Sequence, residues 1–103
     1  MKYDKLVRDR IPEIISQQGK VPLTYVAGSE EYFTRLTQKL EEEVKEFHHS
    51  NSPEELADVL EVVYALGDYL GVPKETLEEI RKKKCLERGG FKQRIVLTEV
   101  KES

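Results

Sequence analysis

The sequence predicts an all-α fold, a small antiparallel bundle of about four helices with minor short β segments, completed by oligomerisation. Apolar residues recur at helical spacing in the long segments, Pro and Gly residues mark the segment ends, and short connections favour antiparallel neighbours. With 103 residues and 38% hydrophobic content, the chain is expected to form one domain, residues 1–103. Its small core would gain from sharing apolar surface with a second copy.

Capping residues and helix-ending residues mark the ends of the predicted helices. Asp9 is the predicted cap of a short first helix, and Gly-Gly at the end of the fourth helix is a strong stop signal. Segments 23–28 (LTYVAG) and 94–100 (RIVLTEV) are predicted to be extended, with pairing between them as one option. The predicted helices cover residues 10–18, 30–49, 52–70 and 73–88.

Composition narrows the class of function. The chain has 20 acidic and 17 basic residues and a net charge of −3, whereas a general nucleic-acid binder normally has a basic excess. Its single cysteine, Cys85, cannot form an intrachain disulfide, which fits a reducing compartment. No apolar leader and no run of membrane-span length is visible. We therefore expect a cytoplasmic protein with neither a nucleic-acid nor a membrane partner.

The stretch KLEEEVKEF (39–47) places glutamates on different faces of the second helix. At about 100° per residue, the apolar side chains of this helix form one stripe. Glu43 falls inside the stripe and Glu46 lies just beyond its edge. Glu41 falls well outside the stripe, as solvated acids do, and Glu42 falls outside it less far. The glutamates are therefore not equivalent, and Glu43 and Glu46 are the ones predicted to face the partner helix.

The third helix repeats this pattern. Glu55 falls within its apolar face and Asp58 lies at the border. Ser52 and Glu55 also match a capping box, which is an alternative explanation for Glu55 alone. In an antiparallel hairpin, four acids would lie at matching heights above the turn. Such converging carboxylates require a cation, and oxygen-only ligands select Mg²⁺, with Mn²⁺ as an alternative. The predicted metal ligands are Glu43, Glu46, Glu55 and Asp58.

Basic residues supply the opposite charge. On the fourth helix Lys84 falls on the apolar stripe and Arg88 follows one turn later, although such residues also complement a helix C-terminal dipole. Lys5 and Arg8 lie in a non-helical lead-in, from which long side chains could reach a site. Acids and cations in one groove suit a phosphate-rich ligand bridged by Mg²⁺. The chemistry that follows is metal-assisted hydrolysis.

EEVKE (42–46), followed by ELAD (55–58), resembles the EExxE…ExxD signature of the MazG-like superfamily of all-α nucleoside triphosphate pyrophosphohydrolases. The opening KLVRDRIPEII and the closing RKKKCLERGGFKQRIVL resemble its small branch of house-cleaning noncanonical NTP pyrophosphatases. This resemblance covers nearly the whole chain. It implies Mg²⁺-dependent cleavage between the α and β phosphates of a nucleoside triphosphate, giving a nucleoside monophosphate and pyrophosphate. It also implies a homodimer or homotetramer.

The resemblance also implies roles for individual residues. Glu42 would be a water-positioning acid or an acid supporting the ligands, so that Glu42 and Glu43 are the expected catalytic pair. Lys84 and Arg88 would match a K-x-x-x-R pattern that contacts phosphate. The gap between the acidic motifs, residues 47–54, is shorter than in many members, which leaves the preferred base open. The residues implied as metal ligands are Glu43, Glu46, Glu55 and Asp58.

Three alternatives remain at the level of sequence. One is a non-catalytic helical interaction module whose acids and bases only pair with each other. Another is phosphoribosyl-ATP pyrophosphohydrolase-like activity. A ferritin-like dimetal oxidase would need two Glu-x-x-His pairs on separate helices, whereas only Glu46 and His49 form such a pair here. His48 and His49 are instead expected to be ordinary residues of the turn.

Overall fold

Helices are the only regular secondary structure in residues 4–102, the part of the chain that the computed structural model describes. They are α1 (Ile11–Gln17), α2 (Ser29–Ser50), α3 (Pro53–Tyr69) and α4 (Lys74–Arg88). The predicted all-α class and the four helices are confirmed, and each boundary lies within one residue of its prediction. None of these helices is long and apolar enough to cross a membrane.

The helix caps correct one prediction and confirm another. Asp9 does not cap α1, because the backbone turns earlier: Ile11 N–H donates to Arg8 O at 3.0 Å, and Asp9 lies inside that turn. The residue preceding α1 is Arg10, which makes no side-chain cap. Ser52 does cap α3, since its Oγ accepts a hydrogen bond from the backbone N–H of Glu55 at 3.3 Å.

Helices α2 and α3 form an antiparallel hairpin. Only Asn51 and Ser52 connect them, and Asn51 adopts a left-handed backbone (φ 51°), which Asn tolerates better than most residues. At the other end, the ring of Phe33 stacks on that of Tyr69 with centroids 4.8 Å apart, so the start of α2 meets the end of α3. Because α2 continues to Ser50, His48 and His49 lie in its last turn, and their predicted position in a loop was wrong.

The core within one chain is small. Leu36 and Val62, exposed by 3% and 7%, are the only buried hydrophobic residues in the part of the chain described. The apolar stripes of both helices are wider than their mutual contact, and their outer edges remain exposed. The Cα radius of gyration is 18.4 Å, whereas a compact domain of this length has about 13 Å. The residues on the exposed edges are Phe33, Val44, Leu56 and Leu60.

Helix α4 packs against α3 but not against α2. Its approach depends on Gly67, where an added Cβ would lie 2.8 Å from the carbonyl oxygen of Val72. The Lys74 Nζ lies 4.9 Å from the centre of the Tyr64 ring, so the first turn of α4 contacts α3. Every residue from 79 to 102 is exposed. The second half of α4 therefore extends beyond the helix hairpin.

The two predicted β segments do not form strands. Residues 23–28 and 94–100 have irregular backbone and share no backbone hydrogen bond within residues 4–102. Tyr25 is instead tied to α2, because its hydroxyl donates to Glu31. Residues 94–100 follow the exposed end of α4 and have no neighbouring backbone to complete a ladder. The prediction of a β ribbon was therefore wrong, because an extended apolar segment forms a strand only where a partner strand lies beside it.

Candidate metal centre

Three carboxylates from the two packed helices converge. Glu43 of α2 and Glu55 and Asp58 of α3 each place one oxygen within 4.8 Å of the others. Glu43 is buried, with 9% of its surface exposed, and the other two residues are half-buried. The arrangement follows from sequence, because these acids occupy the apolar stripes of facing helices at matching heights. We call Glu43, Glu55 and Asp58 the acid cluster.

Glu55 has the most perturbed electrostatics of the acid cluster. The pKa of Glu55 is raised above 4.5, first by a hydrogen bond with Glu43, then by desolvation and by the charges of Glu43, Asp58 and Glu46. Its Oε2 is buried and has no hydrogen-bond partner among residues 4–102. A buried carboxylate oxygen without a donor is costly. A cation or a hydrogen-bond donor would satisfy this oxygen.

The capping box does not account for the Glu55 side chain. In a complete box, the Glu side chain accepts from the backbone N–H of the cap residue. Here the Ser52 N–H donates to Ser50 Oγ at 3.3 Å, and only the backbone of Glu55 takes part in the cap. The carboxylate is thus free of the cap and turned towards Glu43.

The other three glutamates of the KLEEEVKEF stretch differ in burial and in their contacts, as their positions on the helix predict. Glu41 is exposed. Glu42 is half-buried and forms ion pairs with Lys5 at 3.1 Å and Lys39 at 3.7 Å. Glu46 is exposed and lies outside the acid cluster, although its charge contributes to the raised pKa of Glu55. The structure therefore brings together three of the four predicted ligands and leaves Glu46 at the margin.

Cations from two elements border the acids. Arg8 Nη2 lies 2.6 Å from Asp58 Oδ1, and Lys5 Nζ lies 3.1 Å from Glu42 Oε1. Both residues come from the lead-in before α1, so this segment reaches α2 and α3 across sequence separations of 37 and 50 residues. Lys39 Nζ lies 3.4 Å from Glu43 Oε1. The acids are thus partly neutralised by side chains of the same chain.

Two of the residues that shape this site were missed from sequence. Lys39 precedes Glu42 and Glu43 by three and four residues, and that spacing on a helix was an available signal. Arg35 donates to Asp4 Oδ1 at 2.8 Å and to Asp4 O at 2.8 Å, which anchors the N-terminal lead-in to α2. The contact between Arg35 and Asp4 is distant in sequence and leaves no periodic signal.

The predicted cations of α4 lie elsewhere. Lys84 and Arg88 are exposed, and within residues 4–102 neither forms an ion pair. The prediction that Lys84 and Arg88 face inward was wrong for the single chain. The physical reason is that only the first part of α4 lies against α3, whereas Lys84 and Arg88 belong to the exposed second half.

The donor set of the acid cluster fits a hard divalent cation. Mg²⁺ prefers oxygen ligands at about 2.0–2.1 Å, so oxygens on opposite sides of the ion lie about 4.2 Å apart. The cluster oxygens lie within 4.8 Å of one another, and small side-chain rotations would close that difference. The unpartnered Oε2 of Glu55 is the kind of atom that such an ion would satisfy. No His or Cys belongs to the cluster, which disfavours softer metals.

Comparisons with known proteins add little to this geometry. The chain matches no family model and no solved structure. A protein of Mycolicibacterium smegmatis (strain ATCC 700084 / mc(2)155), described as uncharacterized, is 42% identical over 48 residues. The match covers 47% of this chain and 49% of that protein, so the chain spans about half the length of its relative. Function therefore has to be inferred from the site.

Proposed function

We propose that this chain is a Mg²⁺-dependent nucleoside triphosphate pyrophosphohydrolase. It would cleave between the α and β phosphates and release a nucleoside monophosphate and pyrophosphate. The observation that supports this most is the half-buried acid cluster, which has an unpartnered Glu55 oxygen and cations at its border. Hydrolysis of a phosphoanhydride needs these two kinds of group side by side, a metal site and cations for phosphate. A nucleotide substrate also agrees with the cytoplasmic location predicted from sequence.

The acids have distinct roles in this proposal. Glu43, Glu55 and Asp58 hold the ion, and Glu46 can rotate inward from the margin as a further ligand. When bound, Mg²⁺ would neutralise charge on the phosphate oxygens and favour attack by water. Glu42 is half-buried and accepts a hydrogen bond from Lys5, and in this proposal it would hold a water against the reacting phosphate.

The substrate would lie on the side of α2 that faces the N-terminal lead-in. Lys5 pairs with Glu42 there and would provide a cation for a phosphate oxygen. Arg8, which donates to Asp58, would contact phosphate as well.

A homodimer or homotetramer is part of the same proposal. The outer edges of the α2 and α3 stripes, including Leu56 and Leu60, remain exposed, as would be expected of a bundle that lacks a further layer. A second copy would cover them. Lys84 and Arg88 can contact phosphate only if the assembly brings an α4 helix close to the acids, so their predicted role depends on oligomerisation.

The decisive experiment is a pyrophosphate-release screen with Mg²⁺. Standard, deoxy and modified nucleoside triphosphates are tested, with phosphoribosyl-ATP included, and the nucleotide product is identified by chromatography. Equal amounts of monophosphate and pyrophosphate from one class of triphosphate support the proposal. Cleavage of phosphoribosyl-ATP alone would favour that alternative. Release of pyrophosphate from no nucleotide, together with thermal stability indifferent to Mg²⁺, would favour a non-catalytic interaction module.

A further inference from the structure

The N-terminal strap, defined as residues 4–8, crosses the acidic side of the helix hairpin. Its first residue is fixed, because Arg35 donates to Asp4 O and to Asp4 Oδ1, each at 2.8 Å, from a side chain that is 21% exposed. Its last residue, Arg8, donates to Asp58 Oδ1 at 2.6 Å. The strap is therefore anchored to α2 at Asp4, and Arg8 at its other end pairs with Asp58 of the acid cluster.

The contact between Arg8 and Asp58 occupies an acid that the proposed metal also needs. A guanidinium and a divalent ion compete for the same carboxylate charge. The side chains of Arg8 and Asp58 are 55% and 39% exposed, and an ion pair so open to solvent is weak enough to exchange. Lys39 differs, because it lies on the same helix as its partner Glu43 and can stay there when an ion binds. Arg8 is thus the cation whose position must change.

We propose that Arg8 is the resident counter-cation of the acid cluster, and that Mg²⁺ displaces it from Asp58 so that it binds a phosphate oxygen of the anionic ligand. This inference rests on the proposed function for the metal and the phosphate. The anchor between Arg35 and Asp4 keeps the displaced guanidinium close to the site. The planar guanidinium suits both partners, since it forms paired hydrogen bonds with carboxylate and with phosphate. One residue thereby links occupation of the metal site to recognition of phosphate.

Calorimetric titration of Arg8→Gln against wild type tests the exchange. Mg²⁺ is titrated alone, and inorganic pyrophosphate is then titrated at saturating Mg²⁺. Without its competitor, the acid cluster of Arg8→Gln should bind Mg²⁺ about two- to fivefold more tightly, the range expected from an exposed ion pair. Pyrophosphate should bind the variant about tenfold more weakly, since a charged hydrogen bond to phosphate is lost.

The matched control is Arg10→Gln. Arg10 is an exposed arginine of the same lead-in that pairs with Glu13 at 3.3 Å, away from the acid cluster. Both affinities should stay at the wild-type values in this variant, which separates a local exchange from a general change in charge. Arg8→Lys serves if Arg8→Gln fails to fold. It keeps the charge, so its Mg²⁺ affinity should stay within about twofold of wild type, while its pyrophosphate affinity falls because the paired hydrogen bonds are lost.

The outcomes distinguish this inference from the proposed function. If wild type binds Mg²⁺ and Arg8→Gln binds it equally well or more weakly, the inference falls and the proposed function stands. The same holds if Arg8→Gln binds Mg²⁺ more tightly but pyrophosphate no more weakly than wild type. If wild type binds no Mg²⁺, both are overturned.

Discussion

Replacing Glu55 by Gln gives opposite expectations for a metal ligand and for a structural residue. The Glu55 carboxylate lies beside Glu43, has a raised pKa and leaves Oε2 without a donor. An amide of the same shape removes one negative charge and can donate an N–H to Glu43. The cap of α3 is unaffected, because it uses the Glu55 backbone. In the absence of metal, Glu55→Gln should therefore melt at the wild-type temperature or above it.

With Mg²⁺ the order should reverse. At about ten times its dissociation constant, Mg²⁺ stabilises wild type by about 1.4 kcal/mol. In a chain of 103 residues, this raises the melting temperature by roughly 6–11 °C. Loss of one of the three cluster carboxylates should weaken Mg²⁺ binding at least about tenfold. At the same Mg²⁺ concentration the stabilisation then falls to about 0.4 kcal/mol, or roughly 2–3 °C.

The assay is thermal unfolding followed by circular dichroism at several Mg²⁺ concentrations. Glu54→Gln is the control, because it makes the same chemical change one residue earlier, in the exposed first turn of α3. Its response to Mg²⁺ should equal that of wild type. A full Mg²⁺ response in Glu55→Gln would refute Glu55 as a ligand. A lower melting temperature in the absence of metal would refute the account of its strained carboxylate.

Three further predictions concern packing, assembly and pH. Gly67→Ala should lose about 1 kcal/mol of stability, roughly 4–8 °C in melting temperature, because overpacking against the Val72 carbonyl outweighs the gain in helix propensity. Leu60→Arg should convert the proposed oligomer to a monomer in analytical ultracentrifugation, since a charge would stand on the exposed apolar edge. The Tyr25 hydroxyl holds the pKa of Glu31 below 4.5, so its stabilisation is present above pH 4.5 and is lost as pH falls through the lowered pKa. The difference in melting temperature between wild type and Tyr25→Phe should shrink accordingly.

Each of these three predictions has a matched control or a result that would contradict it. Gly90→Ala should leave the melting temperature nearly unchanged, since no atom lies within 4 Å of its added Cβ; an equal loss in both glycine variants would contradict the packing account. Glu61→Arg places the same side chain on the exposed face next to Leu60, and it should leave the sedimentation of wild type unchanged. For Tyr25→Phe, a difference that stays constant from pH 7 to pH 3 would show that Glu31 is not the group involved.

Sequence predicted most where the physics is local. Helix ends depend on Gly, Pro and Ser residues within a few positions, and each predicted boundary lies within one residue of the structure. The burial of Glu43 follows from 3.6-residue periodicity in the same way. What sequence missed depends on contacts between distant segments. The anchor from Arg35 to Asp4 and the exposed position of Lys84 are set by how the lead-in and α4 pack, which periodicity within one helix does not determine.

The charges around the acid cluster explain why it is suited to a divalent ion. The five carboxylates in and around the acid cluster and the three cations that border it have a combined formal charge of −2 when all are ionised. The pKa of Glu55 is raised first by its hydrogen bond with Glu43 and by desolvation, and the neighbouring negative charges raise it further. A Mg²⁺ ion would supply two positive charges at this excess without protonation of any carboxylate. If the cations had matched the acids in number, pairing alone would explain the cluster. The carboxylates are Glu42, Glu43, Glu46, Glu55 and Asp58, and the cations are Lys5, Arg8 and Lys39. It is this imbalance, rather than the number of acids, that favours a metal site over a self-neutralised helix hairpin.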